Sequence, residues 1–315
     1  MRRMLGLTVA FLCGACWAQD GVRVKVVCYN THHAQGTDGA LDVARVARVI
    51  SSESPDLVGL QEIDSMCGRT NRVNQVAEYA RLTGMNGVFG QAIPYDGGGY
   101  GNAILSKAVI GTVRRVPLPG AESRVALFAD VTVGSGAATV PMTFVTTHWM
   151  VGDAAAQQQS ATIINTTVKE RFDANRPIVL CGDMNARAGS AAITEMDKEW
   201  EIASFNFGID WIVYRPASSW RVVSVRKLTT GDAAVASDHA PVVMELAYVG
   251  PATRVDAPAR RSHGVPVPVQ AAPARLVTIS GHWPLPGALS VAGRAVSAVA
   301  GHAAANVLVS GGAQW

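Results

Sequence analysis

Between residues 22 and 248, short apolar runs alternate with longer stretches of helical period, and their order predicts a layered α/β domain. Val22–Tyr29 is a continuous apolar run of strand length. Leu41–Ser52 carries apolar residues at 41, 44, 46, 47, 49 and 50 and stops short of Pro55, which predicts a helix. Leu57–Gln61 reads as a second buried strand ending at Glu62, and Asn74–Leu82 as a helix stopped by Gly84. Ala103–Ser106, Arg124–Val133 and Val140–Thr147 follow as strands, then a longer helix at Ala154–Phe172 and a short buried strand at Ile178–Cys181. Ile209–Tyr214, Trp220–Val225 and Val242–Tyr248 complete the set. Strands that first alternate with helices and later pair with each other predict a sandwich with mixed sheets.

The two ends do not share this pattern. Arg2 and Arg3 precede an apolar stretch from Met4 to Cys16 and a small residue at Ala18, the layout of an export signal peptide over residues 1–18. The protein is therefore expected in the periplasm, the cell envelope or the extracellular space. Cys13 and Cys16 match a redox spacing, but they lie in the segment to be removed. The remaining three, Cys28, Cys67 and Cys181, are an odd count and no disulfide framework; Cys28 and Cys181 lie in strand-like apolar runs and read as small buried hydrophobes. A Pro/Ala/Arg-rich linker occupies 250–273, and 274–315 is an Ala/Gly/Val-rich tail whose composition fits a small β appendage, a surface-associating segment or a disordered one. The domain that carries the chemistry is residues 19–249.

Charge follows the same division. The net charge of +3 comes from the ends; residues 19–250 hold 20 basic and 23 acidic side chains, so the domain has no generic charge for nucleic acid. No uncharged apolar run of 18 residues occurs, which excludes a multi-pass membrane protein.

Candidate chemistry lies where the strands stop. Asn30, Glu62, His148, Asp183, Asn185 and the pair Asp238-His239 each flank an apolar run. Strand ends of a layered α/β fold converge on one rim. A set made of Asn, Asp, Glu and His, without Lys, suits a hard divalent cation and a phosphate.

These residues stand in segments that resemble the endonuclease/exonuclease/phosphatase superfamily of metal-dependent phosphoesterases. The segments are Tyr29-Asn30, Leu60-Gln61-Glu62, Gly101-Asn102-Ala103-Ile104-Leu105-Ser106, Thr147-His148-Trp149, Cys181-Gly182-Asp183-Met184-Asn185, Ile209-Asp210-Trp211-Ile212 and Ser237-Asp238-His239-Ala240-Pro241. They occur in the family's order. The resemblance implies an α/β (α+β) fold, a four-layer DNase-like sandwich of two mixed β-sheets flanked by helices.

It also implies roles. Glu62 becomes the principal Mg²⁺ ligand (Mn²⁺ as a substitute), with Asn30 beside it and Asp238 completing the metal end. Asp183 orients or deprotonates the attacking water, and Asn185 holds that water or the phosphate. His239 hydrogen-bonds the scissile phosphate or assists the water, with Asp210 fixing its tautomer. His148 is a general acid or a phosphate clamp. Arg69, Arg72 and Gln75 lie where relatives carry an Arg-rich loop before a helix, so they are substrate-binding candidates. Asp96–Gly101 reads as a flexible loop that offers Tyr100 or Asn102 to the substrate; it lacks the Gly-Lys-Ser/Thr of a P-loop. Ser224–Lys227 matches a Ser-x-x-Lys spacing but lies in a strand without partner motifs. His32-His33 is an unusual pair after Asn30, open to a second metal, a phosphate contact or solvent.

The expected activity is hydrolysis of a phosphodiester in a nucleic acid, a phospholipid head group or a small molecule, by a monomer with no obligate protein partner. The alternatives are a phosphomonoesterase on the same fold and a catalytically silent surface-binding module.

Overall fold

Period-two alternation sorts the central strands between two cores. The computed structural model describes residues 21–136, 138–202, 208–250, 275–280 and 304–309. The predicted signal peptide at 1–18 and the linker at 250–273, Gly250 apart, lie outside the described residues; of the tail, two strands are described.

The strands are β1 (Arg23–Asn30), β2 (Leu57–Ser65), β3 (Asn86–Tyr95), β4 (Gly98–Ser106), β5 (Ile110–Leu118), β6 (Arg124–Ser135), β7 (Ala138–His148), β8 (Ile178–Asp183), β9 (Glu201–Ile202), β10 (Asp210–Arg215), β11 (Trp220–Lys227), β12 (Val242–Tyr248), β13 (Arg275–Ser280) and β14 (Ala304–Val309). The helices are α1 (Val43–Glu53), α2 (Gln75–Thr83), α3 (Ala154–Arg171) and α4 (Ala191–Met196). One sheet runs β11-β12-β1-β2-β4-β3, continued at its β3 edge by the β14–β13 hairpin; the other runs β5-β6-β7-β8-β10-β9. In β1, Val24, Val26 and Cys28 face the space between the sheets, while Val27 and Tyr29 face α1 and α2. In β8, Val179 and Cys181 face inward, while Ile178 and Leu180 pack toward α3 and α4. Helix, sheet, sheet, helix: these are the four layers expected. The sheets approach so closely that a Cβ on Gly59 would lie 2.2 Å from the Cys181 sulfur and 2.8 Å from Thr146 Oγ1.

The helices begin as their sequences dictate. Asp42, Asn74, Asp153 and Ser190 cap them by accepting the backbone N–H of Arg45, Ala77, Ala156 and Ile193. Gly84, at φ 69°, ends α2 in the left-handed conformation. Cys28, Cys67 and Cys181 are buried free thiols.

Each sheet contains a parallel pair, β1–β2 and β7–β8, joined through α1 and α3 respectively. Parallel neighbours need such a crossover, and ligands bind beyond their carboxyl ends. The two β-α-β units together bring Asn30, Glu62, His148 and Asp183 to one end of the sandwich.

Three features depart from expectation. Strand β2 does not end at Glu62 but continues to Ser65, because a bulge sets Gln61 and Glu62 opposite Asn102 alone and pairing resumes at Ile63. Asp96–Gly101 is a hairpin rather than a flexible loop: Asp96 and Gly97, at φ 44° and 73°, form its two-residue turn, and Gly98 onward belongs to β4. Strands β3 and β5 were hidden by Gly87, Gly90 and Pro94 and by Arg114-Arg115, which interrupt their apolar runs.

Candidate active site

Glu62 reaches the site through its bulge. It sits at φ 58°, a left-handed conformation uncommon for a residue with a side chain, and the extra residue turns its carboxylate out of the ladder. Its Oε1 accepts the Asn30 amide at 3.0 Å. The same Asn30 nitrogen donates to Asp183 Oδ2 at 3.1 Å, so two carboxylates from different sheets converge on one amide. That convergence calls for positive charge, and its oxygen donors suit a hard divalent cation. The bulge is braced by Gln75, which accepts Asp64 N–H and donates to the His33 carbonyl.

Asp183 is the centre of the arrangement. Its Oδ1 accepts the Asn185 backbone N–H at 2.9 Å, the Asx turn that its spacing predicts, and Asn185 adopts φ 48°. Its Oδ2 lies 3.5 Å from His148 Nε2 and 3.6 Å from His239 Nε2. Burial, followed by the nearby Asp210 carboxylate, pushes Asp183 up to about 6, so it exchanges a proton near neutrality.

The two histidines are tuned in opposite directions. His239 Nδ1 donates to Asp210 at 3.0 Å. Burial pulls its pKa down, but the Asp210 hydrogen bond and the charges of Asp210, Asp183 and Asp238 outweigh it and raise the imidazole to about 9. Without a metal, His239 is therefore a cation at neutral pH, with both nitrogens protonated. One ligand atom from each of Asp183, Asp210 and His239 lies within 4.8 Å of the others, close enough to hold a cation as well. His148 goes the other way: burial, then Arg124 and His239, hold it well below the usual range. Arg124 Nη1 donates to His148 Nδ1 at 3.4 Å. Asn185 Nδ2 lies 3.1 Å from His148 Nε2 and also donates to the Trp149 carbonyl. A guanidinium and an amide N–H can only donate, so a neutral His148 accepts from Arg124 at Nδ1 or from Asn185 at Nε2.

Arg124 is the residue that sequence reasoning missed. It is buried behind His148, paired with Glu122 at 3.1 Å, and nothing in its strand-start context distinguishes it from a surface arginine.

The structure places the other predicted residues unequally. Asp238 is exposed beside His239 and belongs to neither metal-ligating group found among the described residues. Asn102 is 2% exposed and donates to the Val125 carbonyl at 2.8 Å, tying β4 to the register partner of His148 rather than facing a substrate. Tyr100 is half-buried at the β4 entrance, its phenol held high by burial and then by the Glu62 carboxylate. Arg69 is gripped by buried Asp64 through two bonds of 2.7 and 2.8 Å and stacks 4.6 Å over Tyr95, whereas Arg72 is exposed. Beside Glu62, His32 and His33 are drawn together with it: Glu62 Oε2 lies 4.0 Å from His33 Nδ1. His32, His33 and Ala34 all have positive φ, strain of roughly 1–2 kcal/mol per residue. Burial, then Arg69 and His32, lower His33, so its imidazole is neutral.

The model of the endonuclease/exonuclease/phosphatase family matches residues 27–239. An endonuclease/exonuclease/phosphatase from Beutenbergia cavernae is 24% identical, with a TM-score of 0.59 over 73% of this chain and 72% of that one. The catalytic domain of human Nocturnin, solved with a bound sulfate, is 16% identical with a TM-score of 0.57 over 72% and 94% of the two chains. A mannosyl-6-phosphatase from Bacteroides thetaiotaomicron is 18% identical with a TM-score of 0.54 over 71% and 100%. No curated protein matches the chain.

Proposed function

The chain belongs to the endonuclease/exonuclease/phosphatase family, whose members hydrolyse phosphoester bonds with a divalent metal, and from that premise we propose that this enzyme cleaves phosphodiesters with Mg²⁺ and water. The observation that carries the reading is the convergence of Asn30, His148 and His239 on Asp183, with Asp210 behind His239.

Glu62, with Asn30 at its side, would hold the metal, which when bound supplies Lewis-acid charge to a phosphate oxygen. Asp183, ionised above about pH 6, accepts a proton from the attacking water. The water oxygen bonds to phosphorus as the bond to the leaving oxygen breaks. His239, charged up to about pH 9, donates to a non-bridging oxygen and stabilises the charge that develops there. Neutral His148 lies 3.5 Å from the same Asp183 oxygen, with the Asn185 amide at its Nε2, and completes the polar wall around the attacking water. The diester preference rests on charge. Glu62, Asp183, Asp210 and Asp238 outnumber the cations His239 and Lys227, the latter 3.8 Å from Asp210, while Arg69 and Arg124 are paired with Asp64 and Glu122. A diester monoanion meets less repulsion here than a monoester dianion. The arginine pair and apolar run of residues 1–18 support export of the enzyme, which fractionation of the host cell checks.

The test is turnover of matched chromogenic phosphodiester and phosphomonoester substrates by the purified protein, with Mg²⁺ and with EDTA, and with Asp183→Ala as the contaminant control. Diester turnover lost in EDTA and in the variant supports the proposal. Monoester turnover alone replaces it with a phosphatase, and silence toward both classes moves it toward a binding module.

A further inference from the structure

The histidine pair beside Glu62 is not used by this chemistry, yet its hydrogen bonds are specific. His32 Nδ1 lies 3.0 Å from the Gln35 carbonyl oxygen. A carbonyl can only accept, so His32 carries its proton on Nδ1 and a lone pair on Nε2. His33 Nε2 lies 3.3 Å from Gln35 Oε1, whose amide nitrogen is turned to the Gly39 carbonyl. His33 therefore carries its proton on Nε2 and a lone pair on Nδ1. One residue, Gln35, sets both tautomers, the arrangement that orients histidines toward a metal.

The lone pair of His33 is the telling one. Its Nδ1 is buried, has no hydrogen-bond partner and faces Glu62 Oε2 at 4.0 Å. Two acceptors face each other, and what reconciles them is a cation between them. A phosphate oxygen would add a third acceptor, which decides against a phosphate contact. One ligand atom from each of His32, His33 and Glu62 lies within 4.8 Å of the others. Tetrahedral coordination at zinc-like bond lengths needs about 3.4 Å, a gap that side-chain rotation closes. Gln75 holds the His33 carbonyl at 2.7 Å, fixing the turn against α2.

We propose that His32, His33 and Glu62 form a second metal subsite for a borderline divalent cation such as Zn²⁺ or Co²⁺, bound through the Glu62 oxygen that Asn30 does not use. Imidazole nitrogens select such ions, whereas Mg²⁺ prefers oxygen donors. Glu62 then bridges an oxygen-rich position and a nitrogen-rich one. The subsite goes beyond the proposed hydrolysis: it stands on this geometry alone, whichever ester is cleaved.

The experiment uses the purified full chain, stripped with EDTA and returned to excess Mg²⁺. Zn²⁺ and Co²⁺ are titrated by calorimetry, and the zinc-loaded protein is examined by X-ray absorption. One equivalent of Zn²⁺ should bind despite the Mg²⁺, with two imidazole nitrogens as ligands. His32→Asn and His33→Asn should each weaken binding about tenfold or more, while His239→Asn leaves it unchanged. Oxygen-only coordination of the wild-type zinc overturns the proposal, and that readout needs no variant to fold. Loss of the zinc in His239→Asn but not in His33→Asn also overturns it, as does full displacement of Zn²⁺ by Mg²⁺. Absence of diester turnover with zinc still bound would reject the proposed hydrolysis and leave the subsite standing.

Discussion

His148 and Asp183 are register partners on the parallel strands β7 and β8, and their side chains approach to 3.5 Å from Nε2 to Oδ2. A neutral histidine beside a buried carboxylate does not hold the carboxylate's charge as a cation would.

That missing charge has a measurable effect on stability. Asp183 has a folded-state pKa of about 6 against an ordinary 3.8, so the folded protein holds its proton more tightly than the unfolded chain. Its contribution is present below pH 3.8 and is lost as pH rises through about 6. Relative to Asp183→Asn, the metal-free wild type should lose roughly 2–3 kcal/mol over that window and no more above it. Urea unfolding in EDTA from pH 4 to 8 measures the difference; a gap independent of pH would refute the assignment. The same variant should lose about 10²–10⁴-fold in turnover.

For His239 the linkage runs in the same direction at higher pH. The pKa of about 9 lies above the ordinary 6.5, so the stabilisation is complete below 6.5 and disappears as pH rises through 9. In metal-free protein, NMR should find this imidazole protonated up to about pH 9. In Asp210→Asn, burial is left to act against far less attraction, and the titration should fall by more than one unit.

Arg124→Met tests the histidine on the other side. With the guanidinium gone, His148 loses one of the charges that suppress its protonation and the donor that faces its Nδ1. Its pKa should rise toward 6.5 while burial still holds it below, and kcat should fall about tenfold. An unchanged NMR titration would separate Arg124 from His148.

Metal binding should be visible without turnover. A ligand that binds the folded state alone stabilises by mass action, about 2.7 kcal/mol at a hundred times its Kd. Mg²⁺ should therefore raise the melting temperature of the EDTA-treated protein, and Glu62→Gln should abolish most of that rise. An equal rise in both would place the cation elsewhere.

At Gly59 the prediction concerns packing. A methyl group there meets the Cys181 sulfur at 2.2 Å and Thr146 Oγ1 at 2.8 Å, both on the opposite sheet. Gly59→Ala should destabilise by about 1–3 kcal/mol, measured by urea unfolding, and Gly59→Ala with Cys181→Ala should recover part of it.

Much of this site could be read from the chain, for an identifiable reason. Asn30, His148 and Asp183 end strands that are largely apolar and buried, so a polar residue with metal- or phosphate-binding chemistry at the strand end marks the rim. Glu62 was found by its neighbours, but its position within a continuing strand was not, because a bulge leaves no mark in an apolar pattern. Asn102 shows a related limit: its family context says that it matters, while only the fold shows its amide donating to the Val125 carbonyl. Arg124 carries no local signal, since its effect on His148 depends on a cross-strand neighbour 24 positions away. His32 and His33 were visible as a pair, but their tautomers depend on Gln35 and their meeting with Glu62 on the turn between.

The bulge in β2 also changes the counting along the strand. Leu60 and Ile63 both face the α1–α2 side, although three positions separate them, because one residue between them has no place of its own in the ladder. Deleting a single residue at 61–62 would leave a smoother strand with every apolar side chain still correctly phased, and would remove the carboxylate's outward turn. Foldability and chemistry therefore separate at one position: the shorter strand makes the better scaffold, and the longer one makes the enzyme.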